Sequence, residues 1–463
     1  PKPIKSLAVF VYKFLFSLAY DYIFIVFWFL LLMPDRKSQP GDHVEIHLSK
    51  LIYEGMLLEV PENEKGLVLL KLDSGYNVGF NKKDILKIKF LRKIKQDEKN
   101  FEIKKDKDKP NIAMIITGGT IASRYDSRTG AAHPLTKPEE LFKYYPELFE
   151  KVNVTKIEIP FMKSSEDMDF RDWQKIARVA EILLNDGNIK GIIITHGTDF
   201  LHYTSAALSF FLKNLTKPVV LTYSQRSIDR ASSDANLNLR CSALAAISDI
   251  AEVMIVGHAT TNDDYCYALP GTKTRKMHTS ARDAFKVVNS KPFAKIHADR
   301  IDIISHHKKR EKGKVKSDTN FEEKVALLKI YPGQNPNVLD YYAKHKYRGL
   351  VLEASGLGHV PLNGRKSWMK KIREIQKKGI IVCITSQTIY GRVDPWVYSN
   401  ARVLLKSGVI YLEDMLSETA FVKLGWVLGH DEWKKNKEII REKMLHNFAN
   451  ELNDRLEPNF DTT

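Results

Sequence analysis

Two short segments combine threonine with glycine at places where the chain leaves an apolar run. Residues 117–123 (TGGTIAS) directly follow the apolar residues 112–116, and residues 195–199 (THGTD) directly follow 192–194. Ligands of parallel α/β sheets bind beyond the carboxyl ends of the strands, where both segments would lie. Glycine lets the backbone approach a ligand closely, and a threonine hydroxyl becomes a nucleophile when a neighbouring group removes its proton. The pattern therefore predicts a site for hydroxyl-based chemistry.

A lysine is the third candidate for this site. Lys276 lies within residues 274–279 (TRKMHT), which follow the apolar run 253–256. A lysine near a Thr-Asp pair can accept a proton when its surroundings favour the neutral amine, whereas the alternative is a solvated surface lysine. The chain has neither a GxSxG nucleophile elbow nor a GxxxxGK[ST] phosphate-binding loop. An α/β-hydrolase triad and a P-loop NTPase are therefore disfavoured.

The elements that must position these residues alternate between buried strands and amphipathic helices. This alternation covers residues 110–305 and again 325–463, and it predicts an α/β fold with a mainly parallel sheet in each part and a charged helical tail. The charged stretches 93–109 and 306–324 are typical of linkers. Residues 34–92 alternate between apolar and polar side chains, which predicts a small all-β barrel domain in front.

The composition excludes several classes of protein. With 463 residues, 28% charged and 43% hydrophobic, the chain is neither disordered, collagen-like nor a small disulfide scaffold. Cys241, Cys266 and Cys383 are widely spaced and fit no metal-binding pattern, so we expect a reducing cytoplasm and no structural zinc site. The net charge of +16 suggests an acidic partner. Basic residues are spread among acidic ones, however, which favours an ordinary lysine-rich surface.

The first 33 residues differ from the rest. Residues 14–33 are almost continuously apolar and have the length of a transmembrane helix, so this segment would insert in a membrane if it is made. The chain begins with Pro1, and a polar run follows Met33. We therefore expect residues 1–33 to be an extension outside the functional protein, and a chain starting at Met33 to fold and be active.

The motifs TGGTIAS and THGTD, together with the later Lys276, resemble the L-asparaginase and glutaminase amidohydrolase family over about residues 112–427. Further stretches, 202–210, 225–227, 232–234 and 275–280, and the β domain in front make the chain similar to the ammonia-releasing subunits of archaeal tRNA-dependent amidotransferases. The resemblance implies a two-domain asparaginase-like core preceded by a small β-barrel. It also implies a chain that holds no metal or other cofactor.

The resemblance assigns roles to individual residues. Thr120 resembles the nucleophile that attacks the amide carbon, and Lys276 would assist proton loss from Thr198 or pass a proton to the leaving ammonia. Asp199 would also hold the α-ammonium group of the substrate. The implied substrate-binding residues are Ser165 and Glu166, which clamp the substrate, Ser224, whose backbone N–H would join that of Thr198 in an oxyanion hole, and His359, presented by a neighbouring protomer.

The sequence departs from the family pattern near the site. Many asparaginases place a tyrosine about thirteen residues after the nucleophile, where this chain has His133, and Tyr125 is nearer the motif. The base for Thr120 is therefore His133, Tyr125 or another group. Tyr223 precedes Ser224 where relatives commonly have a small residue, so its ring could crowd the oxyanion side. Phe200 replaces the threonine that is common after THGTD.

The resemblance also implies partners. The chain would release ammonia from glutamine for conversion of Glu-tRNA(Gln) to Gln-tRNA(Gln), and the E subunit of the amidotransferase would use ATP and Mg to activate the tRNA-linked glutamate. A homodimer in the cytoplasm, with E subunits outside it, is the expected assembly. One alternative is a free-standing L-asparaginase, membrane-anchored if residues 14–33 are real, and another is a non-catalytic scaffold. The β domain argues against the first, and the four residues Thr120, Thr198, Asp199 and Lys276 argue against the second.

Overall fold

The computed structural model describes residues 37–60, 66–72, 77–93, 106–125, 132–134, 148, 150–228 and 233–456. The hydrophobic extension expected over residues 1–33 lies outside these ranges. Within them, no helix is long and apolar enough to cross a membrane. The described residues divide into two compact units, one with residues 37–60, 66–72 and 77–93 and one with the described residues from 106 onwards.

The first unit is a five-stranded antiparallel sheet in the order β4-β3-β2-β1-β5. Its strands are β1 (Asp42–His47), β2 (Ile52–Leu58), β3 (Leu67–Leu72), β4 (Asn77–Asn81) and β5 (Lys87–Lys93). The strands alternate apolar and polar residues, so one face buries a small core of Val44, Ile46, Leu57, Val68, Leu70 and Phe80. This sheet confirms the predicted small β domain.

The second unit contains the remaining elements. Its strands are β6 (Asn111–Ile116), β7 (Ser123–Tyr125), β8 (Ala132–Pro134), β9 (Asn153–Glu158), β10 (Ile189–Thr195), β11 (Leu212–Lys213), β12 (Val219–Thr222), β13 (Val253–His258), β14 (Cys266–Pro270), β15 (Thr274–Lys276), β16 (Phe285–Val287), β17 (Ala294–Ile296), β18 (Ile301–Ile303), β19 (Lys316–Ser317), β20 (Val325–Lys329), β21 (Gly349–Ala354), β22 (Ile381–Ser386) and β23 (Ile410–Tyr411). Its helices are α1 (Phe170–Leu184), α2 (Leu201–Phe211), α3 (Ala235–Ile247), α4 (Val338–Lys344), α5 (Trp368–Lys377), α6 (Ser399–Lys406), α7 (Ser417–Leu428) and α8 (Lys437–Leu445).

An eight-stranded sheet forms the centre of this unit, in the order β18-β17-β14-β13-β12-β10-β6-β9. The five neighbouring strands β9, β6, β10, β12 and β13 pair in parallel, and β14, β17 and β18 extend the sheet with antiparallel pairing. Alternate residues of β6 face opposite cores: Ile112 and Met114 pack in a cluster with α3, and Ala113 and Ile115 pack in a cluster with α1 and α2. Burial on both faces explains the continuous apolar runs that predict these strands.

A second, smaller parallel sheet follows, in the order β20-β21-β22-β23. Helix α7 shares a core with α2, and the rings of Phe210 and Trp426 stack with centroids 5.6 Å apart. The two sheets therefore belong to one packed body, and the predicted α/β fold class is confirmed.

The connection over residues 306–324, which the sequence marks as a linker, is docked on the larger sheet's layer. It contains β19, which pairs antiparallel with β11. Asp318 within it accepts a hydrogen bond from the His430 ring at 3.0 Å. The many charged residues of this segment predict an exposed linker. In the structure, the pairing of β19 with β11 and the hydrogen bond between Asp318 and the buried His430 hold the segment in place.

Candidate active site

The two glycine-threonine segments contact each other at the carboxyl ends of β6 and β10. Thr117 donates its hydroxyl to the carbonyl oxygen of Thr195 at 2.8 Å, and its backbone N–H to the same oxygen at 3.2 Å. Gly119 has a φ of +78°, and a Cβ atom there would lie 2.4 Å from the backbone nitrogen of Gly197. Glycine permits both the left-handed backbone and this approach. The structure thus brings the two predicted segments side by side.

Thr120 begins a single 3-10 turn directly after this contact and is half-buried. The carbonyl oxygen of Gly119 accepts hydrogen bonds from the backbone N–H of Ala122 at 3.0 Å and from the hydroxyl of Ser123 at 2.8 Å. The N–H of Ser123 in turn donates to the carbonyl oxygen of Thr120. These bonds fix the backbone on both sides of the predicted nucleophile.

The base for Thr120 stays a prediction. Tyr125 ends β7 and His133 lies in β8, and the two strands pair antiparallel next to the turn that carries Thr120. The side chains of both residues lie outside the described part of the chain. The backbone therefore places both candidates on the hairpin that follows the nucleophile, without distinguishing between them.

Lys276, Thr198 and Asp199 form a second cluster, in which two oxygen atoms share the ammonium group of Lys276. Its ammonium group donates to the hydroxyl of Thr198 at 2.8 Å and to the carboxylate of Asp199 at 2.6 Å. The side chain of Lys276 is 9% exposed and that of Asp199 is 61% exposed. The cluster therefore has a buried end at Thr198 and an open end at Asp199, and the carboxylate can still reach a ligand from solution.

Ser165 lies beside Gly197, on the side opposite to Gly119. Its hydroxyl accepts a hydrogen bond from the backbone N–H of Phe200 at 3.3 Å, and a Cβ atom at Gly197 would lie 3.0 Å from that oxygen. Ser165 is buried, whereas Glu166 is exposed and one of its carboxylate oxygens lies 3.5 Å from the Ser165 hydroxyl. Gly197 is therefore packed between the backbone of Gly119 and the side chain of Ser165.

The loop after β12 carries Ser224. The hydroxyl of Ser224 donates to the carbonyl oxygen of Arg226 at 2.7 Å, which commits this side chain to the loop itself. The ring of Tyr223 packs over Gly257, where a Cβ atom would lie 2.4 Å from it, and its hydroxyl donates to the carbonyl oxygen of Arg282 at 3.0 Å. Burial raises the pKa of Tyr223 well above its ordinary value. The expectation that this ring could crowd the oxyanion side is therefore wrong, because the ring is directed into the core.

Asp234 holds the backbone of the loop that carries Ser224, a role that motif spacing alone does not predict. Its carboxylate is buried and accepts backbone N–H bonds from Gln225 at 2.9 and 3.0 Å and from Arg226 at 3.1 Å. Burial raises the pKa of Asp234, and these backbone bonds oppose that rise. An acidic residue directly before the apolar helix α3 was the available signal, but such a residue more often caps its own helix.

Two buried histidines near the cluster are neutral at neutral pH. Burial lowers the pKa of His196 to about 4, and its ring bridges the carbonyl oxygen of Gly197 at 2.7 Å and the hydroxyl of Thr204 at 2.9 Å. Burial, followed by the nearby cations Arg275 and Lys276, lowers the pKa of His202 to about 3. Neither imidazole therefore adds charge beside Thr198, where Lys276 is the cation in hydrogen-bond contact.

The strand that carries Lys276 is anchored to the smaller sheet's layer. Lys273, one residue before β15, bonds Asp414 at 2.5 Å, and both side chains are almost completely buried. Arg275, within β15, bonds Glu418 at the start of α7 at 3.1 Å. Burial raises the pKa of Glu418, and Arg275 opposes that rise. Lys276 is therefore positioned by contacts from the C-terminal part of the same chain.

His359 lies apart from the other predicted residues. It follows β21 in a tight loop, where its backbone N–H donates to the carbonyl oxygen of Ser355 at 2.8 Å and its ring meets that of Tyr398 edge-on at 4.8 Å. Among the contacts of the described residues, none joins His359 to Thr120, Thr198 or Lys276 of the same chain. Its predicted role would therefore require a second protomer.

The chain matches known families over most of its length. Residues 111–309 match "Asparaginase, N-terminal", residues 324–444 match "Glutaminase/Asparaginase C-terminal domain", and residues 38–91 match "GatD N-terminal domain". The D subunit of the glutamyl-tRNA(Gln) amidotransferase of Pyrococcus furiosus is 46% identical over 437 residues, which cover 92% of this chain and 98% of that protein. The protein of the same name from Methanothermobacter thermautotrophicus is 41% identical, over 90% of this chain and 94% of its own length.

Solved structures give the same fold. The thermostable L-asparaginase from Thermococcus kodakarensis superimposes with a TM-score of 0.65 and 30% identity, covering 74% of this chain and 100% of that one. L-asparaginase I from Vibrio cholerae gives a TM-score of 0.63 and 26% identity, covering 74% of this chain and 99% of that one. With its asparaginase-like body and its N-terminal β domain, the chain belongs to the family of glutamyl-tRNA(Gln) amidotransferase D subunits.

Proposed function

We propose that this chain hydrolyses the side-chain amide of glutamine and supplies the ammonia that converts Glu-tRNA(Gln) to Gln-tRNA(Gln). The observation that supports this most is the meeting of the two threonine segments at Gly119 and Gly197, with Lys276 bonded to Thr198 at 2.8 Å. The arrangement holds one hydroxyl beyond the carboxyl end of a strand and a second hydroxyl beside a cation, as two-step acyl transfer through a covalent intermediate requires.

In the proposed mechanism, the hydroxyl oxygen of Thr120 attacks the amide carbon of glutamine. Backbone N–H groups near Thr198 and Ser224 would stabilise the negative oxygen of the tetrahedral intermediate. The carbon–nitrogen bond then breaks, and the proton lost by Thr120 leaves with the nitrogen as ammonia, passed on through the Thr198–Lys276 pair. Water hydrolyses the resulting ester, which releases glutamate and restores the Thr120 hydroxyl.

The proposed substrate contacts follow from exposure. Asp199 is open to solution and would bind the α-ammonium group, because its carboxylate needs only part of its capacity for Lys276. Ser165 and Glu166 would clamp the substrate, and Ser165 with nearby backbone N–H groups would hold its α-carboxylate. His359 would close the site from a second protomer.

The proposed setting is a complex. An E subunit would bind Glu-tRNA(Gln) and use ATP and Mg to activate its glutamate, whereas this chain would need no cofactor of its own. We place the reaction in the cytoplasm, because tRNA is charged there. A free-standing L-asparaginase is the second candidate, and the likeness to the Thermococcus kodakarensis L-asparaginase favours testing it.

The test measures ammonia release from glutamine and from asparagine, with and without the E subunit, Glu-tRNA(Gln), ATP and Mg. We expect glutamine hydrolysis that rises when the complete mixture is present, and formation of Gln-tRNA(Gln). Thr120→Ala should lose on the order of 10⁴-fold in rate, since a methyl group cannot replace a nucleophilic hydroxyl. Thr155→Ala, which removes a half-buried hydroxyl on β9, is the matched control and should retain activity.

Two results would overturn the proposal. Ammonia release by Thr120→Ala at the wild-type rate would remove the nucleophile. Rapid hydrolysis of asparagine that the E subunit and tRNA leave unchanged, with no Gln-tRNA(Gln) formed, would favour the free-standing asparaginase instead.

A further inference from the structure

A closed ring of hydrogen bonds surrounds Tyr223, directly before Ser224. Tyr223 and Arg282 enter the ring through both backbone and side-chain atoms, and Asn238, His258 and Asp263 enter through side chains alone. The bonds run from Asn238 Nδ2 to the Tyr223 carbonyl (2.9 Å), between His258 Nδ1 and Asn238 Oδ1 (2.6 Å), between His258 Nε2 and Asp263 Oδ1 (2.9 Å), from Arg282 Nη1 to Asp263 Oδ2 (3.0 Å), and from the Tyr223 hydroxyl to the Arg282 carbonyl (3.0 Å).

The ring defines the protonation of His258. The Tyr223 carbonyl can only accept, so the amide nitrogen of Asn238 must face it and the amide oxygen must face His258. The thiol of Cys266, 3.4 Å from that same oxygen, is a second donor to it. His258 therefore donates through Nδ1. On its other side Nε2 faces a carboxylate, so it donates there as well, and the imidazole must carry both protons.

This charged ring connects two loops of the candidate site. Asn238 holds the backbone of Tyr223. Tyr223 and Ser224, the first two residues after β12, are here named the Ser224 corner. Arg282 lies in the turn between β15 and β16, whose first strand ends at Lys276. The Tyr223 hydroxyl bonds the backbone of that turn. A change at His258 would therefore reach both the Ser224 corner and the turn after Lys276.

We propose that His258, held as an imidazolium between Asn238 and Asp263, is a positioning residue that fixes the Ser224 corner and the turn after Lys276. This inference rests on the proposed amidohydrolase function only for its kinetic readout. His258 is fully buried and touches no reacting atom, so its effect is exerted through the backbone. Loss of either proton breaks one bond of the ring and frees the corner.

Several titratable groups face His258. They come from each packed element: Asp234 at the start of α3, Asp263 after β13, Arg282 through Asp263, and Cys266 on β14, which in turn contacts Cys241 of α3. Partial burial would raise the pKa of Asp263, but its bonds with His258 and Arg282 lower it below the ordinary value. Asp263 therefore remains a carboxylate at neutral pH and supplies the negative charge that balances the imidazolium of His258.

The kinetic test uses Asp263→Asn, which keeps the shape but removes the charge that balances His258. Asp263 is 63% exposed, so the variant should fold. We expect kcat for ammonia release to fall, with KM for glutamine changed much less. Asp264→Asn removes the same charge from the exposed neighbouring residue and should leave kcat unchanged. An unchanged kcat in Asp263→Asn would overturn the proposal.

A second measurement is independent of activity. In protein with ¹⁵N-labelled histidine, the His258 signals, identified by their absence in His258→Gln, should report two protonated ring nitrogens at pH 7. One unprotonated nitrogen would overturn the proposal even if the enzyme is fully active. If the protein releases no ammonia, the proposed function fails, whereas the protonation of His258 is still decided by this spectrum. Should His258→Gln not fold, the signals that shift in Asp263→Asn identify the imidazole.

Discussion

Lys276 makes two hydrogen bonds that suggest two different roles. Its bond to Asp199 is an ion pair with an exposed carboxylate, which any cation could make, whereas its bond to the Thr198 hydroxyl allows proton transfer. An exposed ion pair contributes roughly 0 to 1 kcal/mol to stability. The position therefore serves chemistry more than stability, and substitutions can separate the two roles.

We expect Lys276→Met to lower kcat for ammonia release by roughly 10² to 10⁴-fold, the contribution of a positioned proton-transfer group. Lys276→Arg should be similarly slow, because a guanidinium keeps the charge but does not give up a proton near neutral pH. Steady-state rates as a function of pH check both. Recovery of activity by arginine would mean that Lys276 supplies only charge.

The residues of this cluster differ in how far the sequence could predict them. Thr198, Asp199 and Lys276 are grouped by motif and are indeed in contact, and Gly119 marks the approach of the two loops. Asp234 and His258 could not be found in the same way, because their roles depend on which backbone groups the fold places opposite them. Whether Thr120, Ser165, Glu166, Ser224 and His359 act as the resemblance implies stays a prediction.

At the scale of elements, β15 is held in place by buried charge. Lys273 and Asp414 are buried together at 2.5 Å, and Asn453 donates to both oxygens of Asp414, at 3.0 and 2.6 Å. Burial lowers the pKa of Lys273, although Asp414 opposes this. Removal of one partner of such a pair leaves a buried charge without compensation.

We therefore expect Lys273→Met to destabilise the second unit by about 3 to 5 kcal/mol and to slow ammonia release by displacing Lys276. Urea unfolding followed by tryptophan fluorescence measures the first effect. Lys434→Met is the control, since Lys434 pairs with an aspartate that is 82% exposed and its loss should change the unfolding midpoint little. Equal midpoints for the two variants would contradict the argument.

The docked connection 306–324 gives a stability that depends on pH. Burial would lower the pKa of His430, but its hydrogen bond with Asp318 raises it above the ordinary value; burial would raise the pKa of Asp318, but the same bond lowers it. The contribution of His430 to the free energy of unfolding is complete below its pKa in the unfolded chain, about 6.5, and is lost as pH rises through its pKa in the folded protein. The contribution of Asp318 is present above its pKa in the unfolded chain, about 3.9, and is lost as pH falls through its pKa in the folded protein.

Asp318→Asn should therefore reduce the free energy of unfolding most near pH 5.5, by roughly 1 to 2 kcal/mol, and less at pH 9. Urea titrations of both proteins at the two pH values check this. A loss of equal size at both would mean that the bond contributes only as a neutral hydrogen bond.

Strands such as β6, β10 and β13 are well predicted, because the apolar runs 112–116, 192–194 and 253–256 identify strands that are buried on both faces. The two-residue strands β11 and β19 could not be predicted, because their pairing joins segments about a hundred residues apart and neither has an apolar pattern of its own. The antiparallel extension through β14, β17 and β18 is likewise set by the sheet edge rather than by local sequence.

At the scale of the whole molecule, an exposed apolar segment lies next to His359. Trp396, Val397 and Tyr398 are 64%, 56% and 55% exposed, and Tyr398 contacts the His359 ring. Three consecutive large apolar side chains in solvent are typical of a surface that another protein covers. Because the resemblance implies that His359 serves the site of a neighbouring protomer, we propose that a second copy of this chain covers the segment.

A two-fold dimer would bring each His359 to the other protomer's site, as an isologous interface requires, and an obligate interface of this kind should bury more than roughly 2,000 Å². We expect light scattering to give a dimer at micromolar concentration and Trp396→Ser to shift it towards monomer with loss of glutaminase activity. Ile182→Ser, which alters a side chain on α1 that is 70% exposed, is the control and should remain dimeric. His359→Ala should remain dimeric with a raised KM for glutamine. A fully active monomer would contradict the shared site, and a dimeric His359→Ala with unchanged KM would remove His359 from it while leaving the dimer.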